Sequence, residues 1–373
     1  MSKQKQGNTL DNLVSEYIEY ENINTNINKE CEVKFGTKGH FHISKYDFEN
    51  VILKLQNNGF KTDNINGSNL LRIMCDKDSC NDDKIKNIRL ELNGDHTVQE
   101  YCKNENLLTL LSKYSNFTNL IKKFYPKKNG KKYIPYDNDD FGFRLTFQLE
   151  ENILEDDEVI RINLLQNYNN IPKFYRYINR IEFINPEYPF KCHMSIVKQS
   201  KKTSQTIKRS GVLNNNVNYE IEIEFDNDKI QLLEKDVILT KLRTLIKYIL
   251  SGLQDTKYPV SYKEIKTIKQ SYLTMFGIES NTNDIKPKDF IGYSTKTLKI
   301  LNIQDNSLSN DITINKNYTV TEKADGSRKL LYIHSNGYIY LIDTQLNVQF
   351  TGMYTSINSI YNSVLDGEHV KYN

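Results

Sequence analysis

Two short stretches of the sequence place glutamates at every second position. Residues 30–34 read Glu-Cys-Glu-Val-Lys, and residues 220–224 read Glu-Ile-Glu-Ile-Glu. Because successive side chains of a β-strand point to opposite faces, each stretch predicts a strand with its charged side chains on one face. Like charges about 7 Å apart repel by about 2 kcal/mol at an effective dielectric constant near 20. Water and salt screen this repulsion on an open surface, whereas inside a closed sheet a divalent cation is the simplest remedy.

Carboxylate oxygens without nearby histidine or cysteine favour a hard cation, Mg²⁺ or Mn²⁺, over zinc. For either strand alone, ordinary solvent-facing glutamates are the better explanation. Two such strands, with strands that carry basic residues between them, favour the metal site. Arginine and lysine bind phosphate oxygens, so the combination predicts hydrolysis of a polyphosphate, although each basic residue could equally pair with a neighbouring glutamate. The basic residues concerned are Arg89, Arg144, Arg176, Arg180 and Lys198.

The composition excludes several other classes of protein. The chain has 373 residues and a net charge of only +3, so bulk electrostatics alone would not hold a nucleic acid. At 38% hydrophobic residues it can bury a core, which argues against a disordered tail. No apolar run approaches the roughly 18 residues that span a bilayer. The 5 scattered cysteines predict reduced thiols in a cytosol-like compartment rather than a disulfide framework.

The hydrophobic pattern predicts many strands and few helices. Helical spacing marks residues 9–20, 46–55 and 107–114, and the strongest helix covers residues 236–253. Strand patterns cover residues 30–35, 88–92, 141–149, 174–183, 193–197 and 219–225. This order favours a closed or strongly curved antiparallel sheet over βαβ units. The basic runs at 122–132 and 201–209 are interpreted mainly as solvated loops, with nucleic-acid contact as the lesser alternative.

The paired glutamate strands resemble those of the triphosphate-tunnel metalloenzymes, and more narrowly the metal-dependent RNA triphosphatases of fungi and large DNA viruses. The resemblance covers roughly residues 30–253. It implies an α+β fold with an antiparallel eight-stranded β-tunnel, flanked by helices, in a domain at residues 1–255. It further implies metal-ligand roles for Glu30, Glu32, Glu222 and Glu224, with Glu220 in the same cluster. The implied triphosphate contacts are Lys34, Arg89, Arg144, Arg176, Arg180 and Lys198.

A second motif, Lys323-Ala-Asp-Gly-Ser-Arg328, could hold a lysine amine against a nucleotide. Taken alone, its Asp-Gly pair is better explained as an ordinary hairpin turn. With the strand at 337–343 and the sequence Val-Leu-Asp-Gly-Glu ending at Glu368, it resembles the covalent nucleotidyltransferases: capping guanylyltransferases and polynucleotide ligases. The resemblance implies that Lys323 carries the nucleotide and that Arg328 and Glu368 contact its ribose. Because the family's later motifs do not follow, we expect residues 256–373 to be the N-terminal part of a truncated α+β guanylyltransferase domain.

The order of the two signals resembles the multifunctional mRNA capping enzymes of poxviruses, African swine fever virus and mimivirus-like giant viruses. It implies removal of the γ-phosphate from 5′-triphosphate RNA, followed in the complete enzyme by GMP transfer from GTP. It also implies a downstream methyltransferase region or subunit, no membrane, and a location in the host cytoplasm or the virion. The alternatives are a polynucleotide ligase, a tunnel-fold phosphatase of NTPs or polyphosphate, and a non-catalytic RNA-binding scaffold.

Overall fold

The computed structural model divides the chain into two compact units, Met1–Asp255 and Thr256–Asn373. No helix in the described part of the chain is both long enough and apolar enough to cross a membrane. The structure describes residues 9–21, 26–36, 42–76, 88–128, 130–153, 168–278, 287–292, 297–303, 313–314, 318–320, 322 and 324–370.

The first unit is built on an antiparallel sheet that closes on itself. Eight strands form the barrel in the order β1-β11-β10-β9-β2-β3-β4-β8, and pairing of β1 with β8 completes the circle. Closure leaves no free edge on these strands, which removes the template for pairing with another chain. The strands are β1 (Ile27–Phe35), β2 (Ser68–Cys75), β3 (Ile88–Asn93), β4 (Thr118–Phe124), β8 (Phe143–Asn152), β9 (Lys173–Ile184), β10 (Phe190–Gln199) and β11 (Asn218–Phe225).

Three short strands follow β4 outside the main circle. β5 (Lys127–Lys128) and β6 (Lys131–Lys132) pair only with each other, and β7 (Tyr136–Asn138) lies along the first residues of β8. Gly130, in the turn between β5 and β6, has a φ of +77°, a conformation that glycine adopts without strain. β5 and β6 therefore form an exposed hairpin on the side of the barrel.

Helices cover part of the barrel's outer face and bury its apolar residues. The helices of this unit are α1 (Leu10–Glu19), α2 (Lys45–Asn57), α3 (Asp95–Asn104), α4 (Leu107–Lys113), α5 (Ile207–Ser210), α6 (Asn227–Ile230) and α7 (Lys235–Leu253). Cys31 and Val33 of β1 and Ile221 and Ile223 of β11 are fully or almost fully buried among residues of α1, α2 and α7. Since side chains alternate along a strand, the charged residues between them face the barrel interior.

The second unit contains a four-stranded antiparallel sheet in the order β14-β13-β12-β15. Its elements are α8 (Tyr262–Met275), α9 (Ile300–Ile303), β12 (Ser327–Ile333), β13 (Tyr338–Asp343), β14 (Val348–Tyr354) and β15 (Ser363–His369). Ile268, Tyr272 and Leu273 of α8 pack on Leu330 and Tyr340 of the sheet. One face of this sheet is thereby covered by a helix.

The predicted eight-stranded antiparallel β-tunnel with flanking helices is confirmed. The helices expected near 9–20, 46–55, 107–114 and 236–253 form with bounds that differ by at most two residues. The pattern missed β2, whose Leu70 and Leu71 are buried in different clusters, and it also missed β4, α3 and α8. That the second unit is a nucleotidyltransferase domain stays a prediction.

Helices α2 and α7 pack tightly at Gly252, where a methyl group would lie 2.7 Å from the Cα of Val51. Gly252→Ala should therefore force the two helices apart and lower the free energy of unfolding by about 1–3 kcal/mol. Urea denaturation measures the effect. Thr240→Ala on the solvent-facing side of α7 is the matched control and should change it by less than about 0.5 kcal/mol; equal stabilities of the two variants would contradict the close packing.

Candidate active site

The barrel interior is lined by charged side chains from every strand. Each alternates with apolar neighbours that are buried in the outer core, such as Ile223 between Glu222 and Glu224. Pairing of β1 with β11 sets Glu32 opposite Glu224 and Lys34 opposite Glu222. The two predicted glutamate strands are therefore direct neighbours, and all three charged positions of each face the same enclosed space.

Glu32 and Glu222 converge on a single cation. Lys34 Nζ lies 3.0 Å from Glu32 Oε1 and 3.1 Å from Glu222 Oε1. The two carboxylate side chains are only 9% and 8% exposed, whereas the lysine is 38% exposed. Thr146, opposite Glu32 on β8, also directs its hydroxyl towards Glu32 Oε1 at 3.4 Å. Two buried carboxylates from different strands thus hold one positive charge between them.

The charges around this pair determine its ionisation. Burial alone would raise the pKa of Glu222, but Lys34 and Arg180 reverse this effect and hold the pKa well below its usual range. Arg180 Nη2 lies 3.3 Å from Glu222 Oε2. Burial likewise opposes the charge of Lys34, yet Glu222 and Glu32 raise its pKa. Both partners are therefore charged at neutral pH.

Glu30 is held on the neighbouring wall by β4 and β8. Lys123 Nζ lies 2.5 Å from Glu30 Oε2 and 2.6 Å from Glu150 Oε1, so one ammonium bridges two carboxylates. Burial, and then the negative charge of Glu32, raise the pKa of Glu30 to about 7 in spite of Lys123. This second acidic pair repeats the arrangement of Glu32, Lys34 and Glu222 on the other side of β1.

Two arginines and one glutamate form a cluster on β2 and β3. The Nε atoms of Arg72 and Arg89 lie 2.5 and 2.9 Å from Glu91 Oε1. Arg89 also reaches Glu150 Oε1, at 3.2 Å from its Nη2. Burial raises the pKa of Glu91, but Arg72 and Arg89 outweigh it and lower that pKa. The guanidinium groups are thereby fixed in place along the barrel wall.

Near one end of the barrel, His193 connects two more glutamates. Its Nε2 lies 3.1 Å from Glu182 Oε2, and its Nδ1 lies 3.1 Å from Glu224 Oε2. Burial disfavours the charged ring, but the hydrogen bonds to Glu182 and Glu224 raise the pKa of His193 above its ordinary value. Glu224 is thus oriented by the histidine and does not join the pair around Lys34.

The structure brings most of the predicted basic residues into the barrel, but not Lys198. Arg176 contacts Glu220 at 2.6 Å, and Arg180 contacts Glu222. Arg144 faces the interior opposite Lys34 but is paired with Asp137 at 2.6 Å. Lys198 pairs with Tyr177 on the outer side of β10, and its ammonium donates to the carbonyl of Leu213. Lys191, His193 and Ser195 face inward at every second position of β10. Lys198 lies an odd number of residues from each of them and therefore faces outward.

Among the described residues, no group of three or more His, Cys, Asp or Glu side chains is gathered as a ready metal site. The four predicted ligands are divided among Lys123, Lys34 and His193. The pair Glu32 and Glu222 nevertheless fits a hard cation, since it offers only oxygen donors and already encloses a positive charge. Mg²⁺ is commonly held by one or two carboxylates together with substrate phosphates and water.

A cavity of about 550 Å³ lies beside Glu222 and Lys34, at the end of the barrel where β1 and β10 end and β11 begins. Lys34 and Glu222 line it together with Arg176, Glu220 and Gln199. Its size lies within the usual range for small-ligand sites. One member of the carboxylate pair, Glu222, therefore borders a cavity large enough for a small ligand.

In the second unit, Arg328 and Glu368 lie opposite each other on β12 and β15. Arg328 forms a two-point ion pair with Asp366, with distances of 3.0 Å for Nε–Oδ1 and 2.5 Å for Nη2–Oδ2. Its guanidinium lies 5.5 Å from the ring centroid of Phe290. Lys323 lies outside the described residues. The structure therefore brings together two of the three residues predicted for this unit.

The chain is similar to a probable mRNA-capping enzyme of Acanthamoeba polyphaga mimivirus, with 28% identity over 155 residues. This match covers 41% of the chain and only 11% of that relative. No protein-family model matches the chain.

Two solved structures are also similar to the chain. A mimivirus capping enzyme triphosphatase shares 18% identity at a TM-score of 0.40, covering 64% of this chain and 96% of that one. The Pct1 RNA triphosphatase of S. pombe shares 12% identity at a TM-score of 0.34, covering 63% and 86%. TM-scores this low do not establish a fold. The fold of the first unit follows from its own strand pairing.

Several interior residues were missed in the sequence. Arg72, Glu91, Lys123, Glu150, His193 and Glu182 all face the barrel interior. Glu91 lies between Leu90 and Leu92 in the way that Glu32 lies between Cys31 and Val33, so the same signal was present there. Lys123 lies in a basic run that was interpreted as a solvated loop, and nothing local distinguishes it from its neighbours.

Lys34→Met would leave Glu32 and Glu222 facing each other without their shared cation. We expect the free energy of unfolding without divalent ions to fall by about 1–3 kcal/mol, because a buried charge loses its partner. Mn²⁺ should then raise the melting temperature more in this variant than in the unmodified protein, since it replaces the lost charge. Lys191→Met, whose partner Glu182 is 47% exposed, is the control and should have little effect. An equal loss of stability in both variants would argue against a shared cation site.

Proposed function

We propose that the first unit is a metal-dependent RNA 5′-triphosphatase that hydrolyses the γ-phosphate of 5′-triphosphate RNA. The observation that carries the proposal is the convergence of Glu32 and Glu222 on one cation inside a barrel lined with arginine and lysine. The similarity to a probable mRNA-capping enzyme supports RNA as the substrate. Acidic residues alone would repel a triphosphate, and basic residues alone would leave no site for a cation, so both are needed.

In this proposal Glu32 and Glu222 would hold Mg²⁺ or Mn²⁺, and the ion would polarise the terminal phosphoryl group and offset its developing charge. Arg180 remains against Glu222 and keeps that carboxylate ionised and oriented. Water adds its oxygen to the γ-phosphorus while the bond to the β–γ bridging oxygen breaks, giving 5′-diphosphate RNA and inorganic phosphate. The low exposure of the two carboxylates limits screening by solvent, which strengthens each of these interactions.

The basic residues have two tasks along the barrel. Arg180 and Arg176 line one side, and Arg72, Arg89 and Lys123 line the other. Each is already fixed by a carboxylate, so little side-chain entropy is lost when phosphate oxygens bind. They orient the triphosphate and offset the charge that develops on the leaving diphosphate. Glu30 and Glu224 are held by Lys123 and His193, so their role as metal ligands stays a prediction, and Lys34 would contact phosphate with the cation in place.

Glu32→Gln and Glu222→Gln each retain the size of the side chain but remove its charge. We expect each variant to lower kcat for phosphate release from triphosphate RNA by at least about a hundredfold, and chelation of divalent ions by EDTA to abolish release. Colorimetric phosphate release with Mn²⁺ measures this effect. Glu187→Gln, at an exposed turn, is the control. Full activity of either buried variant would overturn the assignment, and hydrolysis of free NTP alone would favour the tunnel-fold NTP phosphatase.

For the second unit we propose part of a guanylyltransferase site, with Lys323 as the nucleotide acceptor and GTP as donor. The pairing of Arg328 with β15, opposite Glu368, supports a shared role for these two residues at a ribose. Labelled GTP and labelled ATP, offered separately, test the proposal. Acid-labile label from GTP that disappears in Lys323→Ala supports capping, whereas label from ATP supports the ligase alternative.

A further inference from the structure

A basic segment follows directly after β10, the strand whose last residue lines the cavity. Gln199 at the end of β10 lines that cavity, and Lys201 and Lys202 follow two and three residues later. Farther along the same segment, Lys208 and Arg209 lie in the last turn of α5. All four side chains are exposed. We call residues 201–209 the basic rim.

The basic rim is fixed to the barrel at several points. Ser204 exchanges two backbone hydrogen bonds with Lys173 of β9, at 2.7 and 2.8 Å. The Ile207 amide donates to Glu105 Oε2, and the Thr206 hydroxyl caps the start of α5. Ile207 is buried in the core that lies under β2 and β3. A held segment binds a partner with a smaller loss of conformational entropy than a flexible one.

The four cations of the basic rim form no ion pair with a carboxylate of the described residues. By contrast, Lys34, Lys123, Arg176 and Arg180 in the barrel interior are each paired with a glutamate. Exposed, unpaired lysines are common on protein surfaces and carry no meaning alone. Here they lie in the connection between β10 and β11, and the residues at its two ends, Gln199 and Asn218, both line the cavity beside Glu222. A polyanion that enters the barrel from this end would pass this connection.

We propose that the basic rim binds the phosphodiester backbone of single-stranded RNA whose 5′ triphosphate lies in the barrel. This inference rests on the proposed function and deepens it, because the rim contacts only a polymer. A free nucleotide ends at its nucleoside within the cavity and does not reach the rim. Only an unpaired 5′ end is narrow enough to enter a barrel whose interior is filled by side chains. The rim therefore selects RNA over free NTP.

A second basic element makes a matched comparison. The hairpin of β5 and β6 has four exposed lysines, with Lys127 opposite Lys132 and Lys128 opposite Lys131. Its base lies on the outer surface, where Tyr133 packs on the ring of Phe147 with centroids 5.4 Å apart. Phe147 belongs to the outer core. The hairpin thus carries as many positive charges as the basic rim but does not border the cavity.

The experiment compares two variants of the full chain, each with four positive charges removed. One replaces Lys201, Lys202, Lys208 and Arg209 by Gln, and the other replaces Lys127, Lys128, Lys131 and Lys132 by Gln. For the rim variant we expect KM for a 20-nucleotide triphosphate RNA to rise about tenfold with kcat unchanged, and kcat/KM for GTP to stay within about twofold. For the hairpin variant both should change by less than about twofold.

Direct binding of 5′-hydroxyl RNA, measured by fluorescence anisotropy across a salt series, separates this inference from the proposed function. The salt slope of the rim variant should fall by about 0.7 for each phosphate that the rim no longer neutralises. If no substrate is hydrolysed but only the rim variant binds RNA more weakly, the triphosphatase proposal fails and RNA binding by the basic rim is supported. Equal loss of RNA affinity in both variants would show that only the overall charge matters, and would overturn RNA binding by the basic rim. Unchanged KM and RNA affinity in the rim variant would overturn it as well.

Discussion

Enclosed carboxylates require nearby positive charge, and this requirement organises the whole first unit. Closure of the sheet between β1 and β8 turns the charged faces of both glutamate strands into a space where water screens little. Glu32 and Glu222 satisfy the requirement by sharing Lys34, and Glu30 and Glu150 do so by sharing Lys123. In the proposed function, a divalent cation and a polyphosphate would bind this site together more readily than either alone, because the two ligands neutralise each other.

The outer core makes this concentration of charge tolerable. The residues that alternate with the glutamates, such as Val33 and Ile223, are fully buried beneath α1, α2 and α7. Hydrophobic burial on that face offsets the unfavourable desolvation of charges on the other, and Gly252 allows α2 and α7, two of the covering helices, to pack closely on each other. The glutamates are therefore held at fixed positions by their neighbours in sequence, and their side chains need little rearrangement to bind a ligand.

The two basic elements outside the barrel show why position matters more than charge. The basic rim and the β5–β6 hairpin have equal numbers of exposed cations, yet only the rim continues from a strand whose last residue lines the cavity. Charge at the outlet of a site acts on every substrate that extends beyond it, whereas charge on the outer wall acts only through the weak, screened field of the surface. In the second unit, the position of the Arg328 side chain is likewise set by the register of β12 with β15 and by the ion pair with Asp366.

The sequence by itself determined which side chains share a face, because the two-residue period of a strand is local. That period was enough to predict the strands of Glu30, Glu32, Glu222 and Glu224, and composition was enough to favour oxygen-bound cations. Only the tertiary structure decided which face is the interior and which charges meet across it. Lys198 lies outside, whereas Lys123 lies inside and meets Glu30, a residue 93 positions away. Strand register and barrel closure make that choice, which no local pattern contains.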